Sequence, residues 1–415
     1  MLATVASVYS LLLGMGILLA GSGLLGTLLG LRAGAEGYSE LLIGLIMSAF
    51  FVGYIVGSLV CPSLIRRVGH IRAFAALAAI ASTASMLHGL IIDPVVWWVL
   101  RAVTGIAVLG LYMVIESWLN EQVRHHRGQV FAVYMMVSLI ALGAGQFLIL
   151  FYGPGALASF VLVGMLFSLG LLPVALTPVS QPIPVEAPHF PLKGLFRRSP
   201  VGFVGSLVSG LITGTFWGLS AVFALAVGLD ELGVALFISA VIFGGALLQW
   251  PIGHLSDNRD RRVVLVVVCL LGAIAATAIF AVAGVSTTAL LVAAVLYGGF
   301  SFTLYALSVA HTHDRVDVHH VLEATRGLLL LNGIGAALGP ILAGLIMHFT
   351  DTRTFPLVLG VLLVILALFI QHRIRIDRPV VPEEQGEFVP VTRTSPVAAE
   401  LDPRTDMEPE LELNK

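Results

Sequence analysis

The stretch "QWPIGHLSDNRDRRVVLVVV", Gln249 to Val268, places five charged residues among the six from Asp257 to Arg262, between two long hydrocarbon runs. Only 11% of the chain is charged, so a cluster this tight marks a place where the chain leaves an apolar medium and then re-enters it. The rest of the composition agrees. The chain has 415 residues, 58% of them hydrophobic, and a mean hydropathy of +0.99. A soluble protein of this length carries about 25% charged residues, so the composition reads as a polytopic membrane protein. A formal net charge of −2 lacks the basic surface that nucleic-acid binding needs. Cys61 and Cys269 both fall in or beside apolar segments, which offers neither a disulfide framework nor a metal–cysteine site.

An apolar helix needs about 20 residues to cross roughly 30 Å of hydrocarbon. Twelve runs meet that length. The first six lie at about 5–30, 41–64, 71–92, 95–119, 129–152 and 155–177, and the second six at about 200–228, 232–254, 263–284, 287–310, 321–349 and 353–372. Lipid offers no partners to backbone N–H and C=O groups, so the runs must be helices. No Lys or Arg precedes the first run, and it is too long for a cleavable apolar region, so it reads as a retained span. Arg66, Arg67, Arg72, Arg124, Arg127, Lys193, Arg197, Arg198, Arg259, Arg261, Arg262, Arg315 and Arg326 fall on one side, and only Arg32, Arg101 and Arg353 fall towards the other. That asymmetry predicts both termini in the cytoplasm.

Between the sixth and seventh runs, "TPVSQPIPVEAPHFPLKGLFRRSP" holds five prolines from Pro178 to Pro191 and reads as an extended linker. The chain therefore divides into a six-helix bundle at 1–177, a cytoplasmic linker at 178–199, a second bundle at 200–372 and a disordered cytoplasmic tail at 373–415. The two bundles look like repeats. "SAFFVG" (48–53) recurs as "SAVIFG" (239–244), an offset of 239 − 48 = 191, which also carries Pro62 onto Gly253 and Leu64 onto Leu255. Parallel six-helix repeats are a transporter plan, with solute held near the midplane between the halves.

On these residues the chain resembles the major facilitator superfamily. The family's loop signature, Gly-x-Leu-x-Asp-x-x-Gly-Arg-Lys/Arg, is matched after the eighth span by Gly253, Leu255, Asp257, Arg261 and Arg262, with Asp260 in the place of a glycine. The copy after the second span is degraded: Pro62 and Arg66 replace the glycine and the acid. "RAVTG" (101–105) is similar to the family's fourth-helix arginine motif, and "GAALGPILAG" (335–344) resembles the glycine–proline motif of antiporters, although here it lies in the eleventh span. "GLYMVIESWLNE" and "QWPIGHLSD" look most like the bacterial YcaD-type branch. The resemblance implies an all-α membrane protein of twelve transmembrane helices in two pseudo-symmetric six-helix bundles. It further implies a secondary active transporter of a small solute working by alternating access, with a proton as the expected coupling ion and efflux ahead of uptake. An uptake permease, or a non-transporting sensor or scaffold on the same fold, are the alternatives.

Several charges invite roles. Asp257 with Arg261 or Arg262 is expected to form a cytoplasmic latch in the outward-facing state and to separate when the halves rock, near Arg127 and Arg326 at the heads of the fifth and eleventh spans, with Gly253 beside it. Burying a charge in a span costs roughly 2.5–3.5 kcal/mol on insertion scales, and the fourth span carries both Arg101 and Glu116. They lie 15 residues apart, about 22 Å at the helical rise, too far to pair. Arg101 can attract an anionic solute, tune a proton carrier, or snorkel to the interface. Glu116, one turn from Tyr112, is expected to pair with Arg326, Arg66 or Arg72 as a second gate, or to carry a proton, since burial raises a carboxyl pKa. The first and seventh spans have no acid, so residue pattern alone leaves the driving ion open.

Tyr134, Gln146, Trp217, Gln249, Tyr305 and Asn332 are the uncharged candidates for a mostly apolar solute cavity, each also competent as an interhelical hydrogen bond. Gly210, Gly214 and Gly218 predict close helix packing. "HTHDRVDVHH" (311–320) lacks convergent metal-ligand spacing. "GSG" at 21–23 lacks a facing base, and no phosphate-binding GxxxxGK[ST] occurs. No enzymatic activity, metal or cofactor is expected. The expected partners are the bilayer, a small solute and a coupling ion, with the chain acting as a monomer.

Overall fold

The computed structural model describes residues 2–122, 127–176 and 192–398. Among them are twelve helices long and apolar enough to cross a membrane. The first half contains α1 (Leu2–Ala35), α2 (Glu40–Val68), α3 (His70–Leu90), α4 (Pro94–Gln122), α5 (Arg127–Gln146, continued by a 3-10 segment, Phe147–Phe151), α6 (Leu157–Leu169) and α7 (Leu171–Ala175). After α8 (Leu192–Arg198), the second half contains α9 (Pro200–Ala226), α10 (Glu231–Ser256), α11 (Arg261–Val282), α12 (Thr287–His313), α13 (Val321–Phe349) and α14 (Phe355–Ile376). Where these helices begin, polar side chains accept hydrogen bonds from otherwise unpaired backbone N–H groups: Ser39 for α2, Ser199 for α9, Asp230 for α10, Asp260 for α11 and Ser286 for α12.

The internal repeat is visible in the packing. Where two helix backbones approach closely, only glycine fits. Gly53 of α2 and Gly105 of α4 face each other's helix backbones at Ala102 and Phe50, and Gly244 of α10 and Gly298 of α12 do the same at Val295 and Val241. The second equivalent pairing joins α1 to α5 through Gly23 and Gly145, and α9 to α13 through Gly210, Gly214, Gly335 and Gly339. The Gly210–Gly218 stripe therefore packs as its spacing predicts, with Gly218 against the Pro340 ring.

The halves meet at the arginine-poor end. Gly44 of α2 lies against the Pro340 carbonyl of α13, Gly344 of α13 against the Glu40 carbonyl, and Gly30 of α1 against Ala221 of α9. Thr352 donates to the Glu40 carboxylate at 2.5 Å, which also stands 3.8 Å from His348. Ser239 donates to the Gly143 carbonyl at 3.0 Å, joining α10 to α5.

Two expected boundaries change. Residues 178–191 of the linker lie outside the described residues, but 192–198 form α8 rather than extended chain. This stretch has no proline, and Leu195 is buried against Leu328 and its neighbours. The tail expected to be disordered from 373 is instead helical to Ile376, and residues 377–398 run against the second half and into the space between the halves. Its apolar side chains explain the difference: Val391, Val397 and Ala398 are buried.

Candidate functional site

A cavity of about 280 Å3 lies between the halves. From the first half it is lined by Phe50, Tyr54, Arg101 and Tyr112, and from the second by Thr213, Trp217, Gln249, Phe302, Arg326 and Asn332. Five of the residues singled out in the sequence, besides Arg101, thus reach one space. Arg101 is buried with its guanidinium carbon 4.7 Å from the Phe50 ring centroid, a cation–π arrangement, and its Nε has no hydrogen-bond partner among the described residues. The expected snorkelling to the interface therefore does not describe it. Asn332 also donates to the Ser206 carbonyl at 3.2 Å, so it ties α13 to α9 while facing the cavity.

Glu116 is 0% exposed. Its carboxylate accepts from the hydroxyl of Tyr134 on α5 and from the hydroxyl of Ser395 in the tail. The expected pairing with Arg326, Arg66 or Arg72 is not formed. Arg66 and Arg72 are exposed on the arginine-rich face, and no basic side chain among the described residues pairs with Glu116. Tyr54, whose ring meets Tyr112 edge-on at 6.4 Å, donates to the Thr394 carbonyl. Gln146 stands apart from the cavity. It accepts from Thr27 and donates to the Leu142 carbonyl at 3.0 Å, which makes it a helix-packing bond between α5 and α1.

The latch is expected of the outward-facing state, and among the described residues these charges pair within the second half. Asp257 lies 3.2 Å from Arg261 and 3.4 Å from His254, in its own half. Arg261 is 1% exposed and pairs with Asp314 at 2.7 Å, and it donates to Ser256 at 2.8 Å. Arg262 pairs with Asp260 at 2.7 Å. Burial pushes the Asp260 carboxyl up, but the hydrogen bonds and charge of Arg262 outweigh it and leave the group below the usual carboxylate range. Arg127 heads α5, and its side chain lies outside the described residues. In the histidine run, His311 and His313 are buried, and His313 Nε2 lies 2.7 Å from the Thr325 hydroxyl.

Sequence reasoning missed the tail as part of this site. Val391, Thr392, Arg393, Thr394 and Pro396 line the cavity. Arg393 donates to the Thr213 hydroxyl and, at 2.7 Å, to the Phe302 carbonyl. Its guanidinium carbon lies 5.5 Å from the ring centroids of both Phe302 and Tyr305, which gives Tyr305 a role beneath the cavity wall. Burial pulls the Arg393 guanidinium down to about 10, so it is charged at neutral pH. A signal for this segment existed: "FVPVTRTSPVAA" (388–399) interrupts an acidic, proline-rich tail with two apolar stretches flanking Thr-Arg-Thr-Ser.

Residues 11–320 and 202–401 match the model of the Major Facilitator Superfamily. The chain is 28% identical over 377 residues to the uncharacterized MFS-type transporter YcaD of Escherichia coli O17:K52:H18, covering 89% of this chain and 97% of that protein. The Shigella flexneri serotype 5b protein of the same name matches to the same extent. Among solved structures, the nucleoside transporter NupG superposes with a TM-score of 0.76 at 15% identity, covering 89% of this chain and all of that one. A bacterial homologue of the human lysosomal transporter Spinster, inward-facing and unoccupied, gives 0.74 at 14% identity, over 92% and 98% of the two chains. These structural likenesses show the fold.

Proposed function

The chain belongs to the Major Facilitator Superfamily of membrane transporters, and from that premise we propose that it exports a small solute across the bacterial inner membrane by proton-coupled alternating access. The observation that carries the reading is one cavity lined by both halves, with the halves in contact at the arginine-poor end. With arginines held on the cytoplasmic side, both termini are cytoplasmic and this is an inward-facing conformation. The lining is mostly apolar with a few hydrogen-bonding groups, which suits an amphipathic or weakly polar solute. One chain supplies a complete cavity, so a monomer suffices.

Glu116 is the proposed proton carrier. Its partners are hydroxyls, so it can gain or lose a proton without breaking an ion pair. Export is favoured by the position of the glycine–proline segment, whose Pro340 and Gly344 form the seal against α2, where opening to the outside must begin. The test is flux in proteoliposomes loaded with a pH-sensitive dye, screened with a panel of amphipathic solutes. Solute-dependent proton movement is expected, and Glu116→Gln abolishes it. Solute flux that ignores the pH gradient and survives Glu116→Gln overturns the coupling.

A further inference from the structure

We propose that residues 386–398 are an intramolecular ligand of the cavity, a C-terminal strap that must leave before solute can bind, and that the charged motif at Gly253–Arg262 serves as its clasp. The occupancy claim stands on geometry alone; its consequence for solute rests on the transport reading.

Two stations hold the strap. At the arginine-rich end Arg261 donates to the Gly386 carbonyl, and Asp314 accepts from the Gly386 N–H at 3.2 Å. Arg262 and Arg315 donate to the carbonyls of Asp377 and Arg378 at 2.9 and 2.8 Å. The Phe388 ring fills the space that a side chain on Gly253 would take. The residues that resemble a gate signature thus hold the backbone of their own chain's tail.

The second station is inside the cavity. Arg393 hooks the second half through Thr213, Phe302 and Tyr305. Thr394 and Ser395 engage the first half through Tyr54 and Glu116. A buried guanidinium is costly unless its donors are met, and here a hydroxyl, a carbonyl and two aromatic faces meet them. Because the strap bonds to both halves, it fixes their separation at the open end. It also covers Glu116, the proposed proton carrier, through the Ser395 hydroxyl. Tethered at its root, it competes at an effective concentration in the millimolar range, so a solute of ordinary affinity is excluded until the strap is released.

The test uses the full chain carrying Ser138→Cys, which lines the cavity one turn beyond Tyr134. A charged maleimide is the probe. Labelling is expected to be slow with the native tail and at least tenfold faster when Arg393→Ala and Ser395→Ala are added. A synthetic peptide of residues 386–400 restores slow labelling, and the same peptide with Arg393→Ala does not. Cys61 and Cys269 are buried and free, and their unchanged labelling shows that the fold is intact. Equal labelling of Ser138→Cys with and without the tail substitutions overturns the proposal. Faster labelling with no change in the pH-dye signal across the amphipathic solute panel upholds occupancy of the cavity by the strap and overturns the transport reading instead.

Discussion

The Glu40 side chain adds polar contacts to the glycine–proline seal at the arginine-poor end, and its replacement should open that end by a calculable amount. Glu40 has two polar partners of unequal worth. His348 stands 3.8 Å away and is 44% exposed; exposed ion pairs of this kind contribute about 0–1 kcal/mol, and this one belongs at the bottom of that range. The Thr352 hydroxyl donates to the carboxylate at 2.5 Å from a part-buried position. Hydrogen bonds to charged groups contribute about 1.5–3 kcal/mol when buried, so about 1 kcal/mol remains after solvent screening. Losing that much multiplies a minor open population about fivefold. Spin labels introduced through Ile92→Cys and Val285→Cys sit on exposed loops of opposite halves at this end, and the distance distribution between them reports closure. Glu40→Ala and Thr352→Ala should each raise the longer-distance population about fivefold, and His348→Ala should leave it nearly unchanged. A His348 variant that opens the face as far as Glu40→Ala refutes the assignment of the polar contribution to the hydroxyl bond.

Further outcomes follow from packing and charge. Gly335→Leu drives a side chain into the α9 backbone at Leu207 and should cost about 1–3 kcal/mol or more, read as a lower melting temperature in detergent; Gly26→Ala, with open space around its Cβ position, should not. Arg261→Ala removes the buried 2.7 Å ion pair with Asp314 and should cost about 3–5 kcal/mol, whereas Arg66→Ala, on an exposed residue, should stay within about 0.5 kcal/mol. The Asp260 carboxyl lies below its ordinary value, so it stabilises the fold above the unfolded-state value of about 3.9 and loses that contribution as pH falls through the folded one. A thermal scan from pH 6 downward should therefore show a smaller acid-induced decline in Asp260→Asn than in the native chain.

The membrane architecture was legible because the hydrocarbon core imposes length and polarity on each run independently. Twelve apolar windows, the 191-residue offset and the small-residue stripe all reappear as helices, paired halves and backbone contacts. The cavity was partly legible for a different reason: Arg101, Trp217, Gln249 and Asn332 are polar or bulky groups in apolar spans, and such groups must face protein or a cavity. Pairings were not legible. Which of several polar groups meet depends on helix rotation and on the separation of the halves, which no local pattern encodes. So Glu116 meets Tyr134 rather than an arginine, and Gln146 turns to Thr27. Prolines and acids in the tail obscured the short apolar segment within it.

The two copies of the charged motif have a physical reason to differ. Each sits where a second helix of a half ends and a third begins, so pseudo-symmetry alone would make them equal. The chain breaks the symmetry, because the tail emerges beside the second copy. There the arginines are buried and fully engaged: Arg261 spans Asp257, Asp314 and Gly386, and Arg262 spans Asp260 and Asp377. Arg66, Arg67 and Arg72 near the first copy are exposed, and a proline stands where the second copy has the glycine against Phe388. An exposed arginine needs no fixed geometry to hold a loop at the membrane surface, so substitutions there cost little. A buried arginine holding carboxylates and carbonyls at once does need that geometry. The fuller copy of the motif is therefore the one that has a segment of chain to hold.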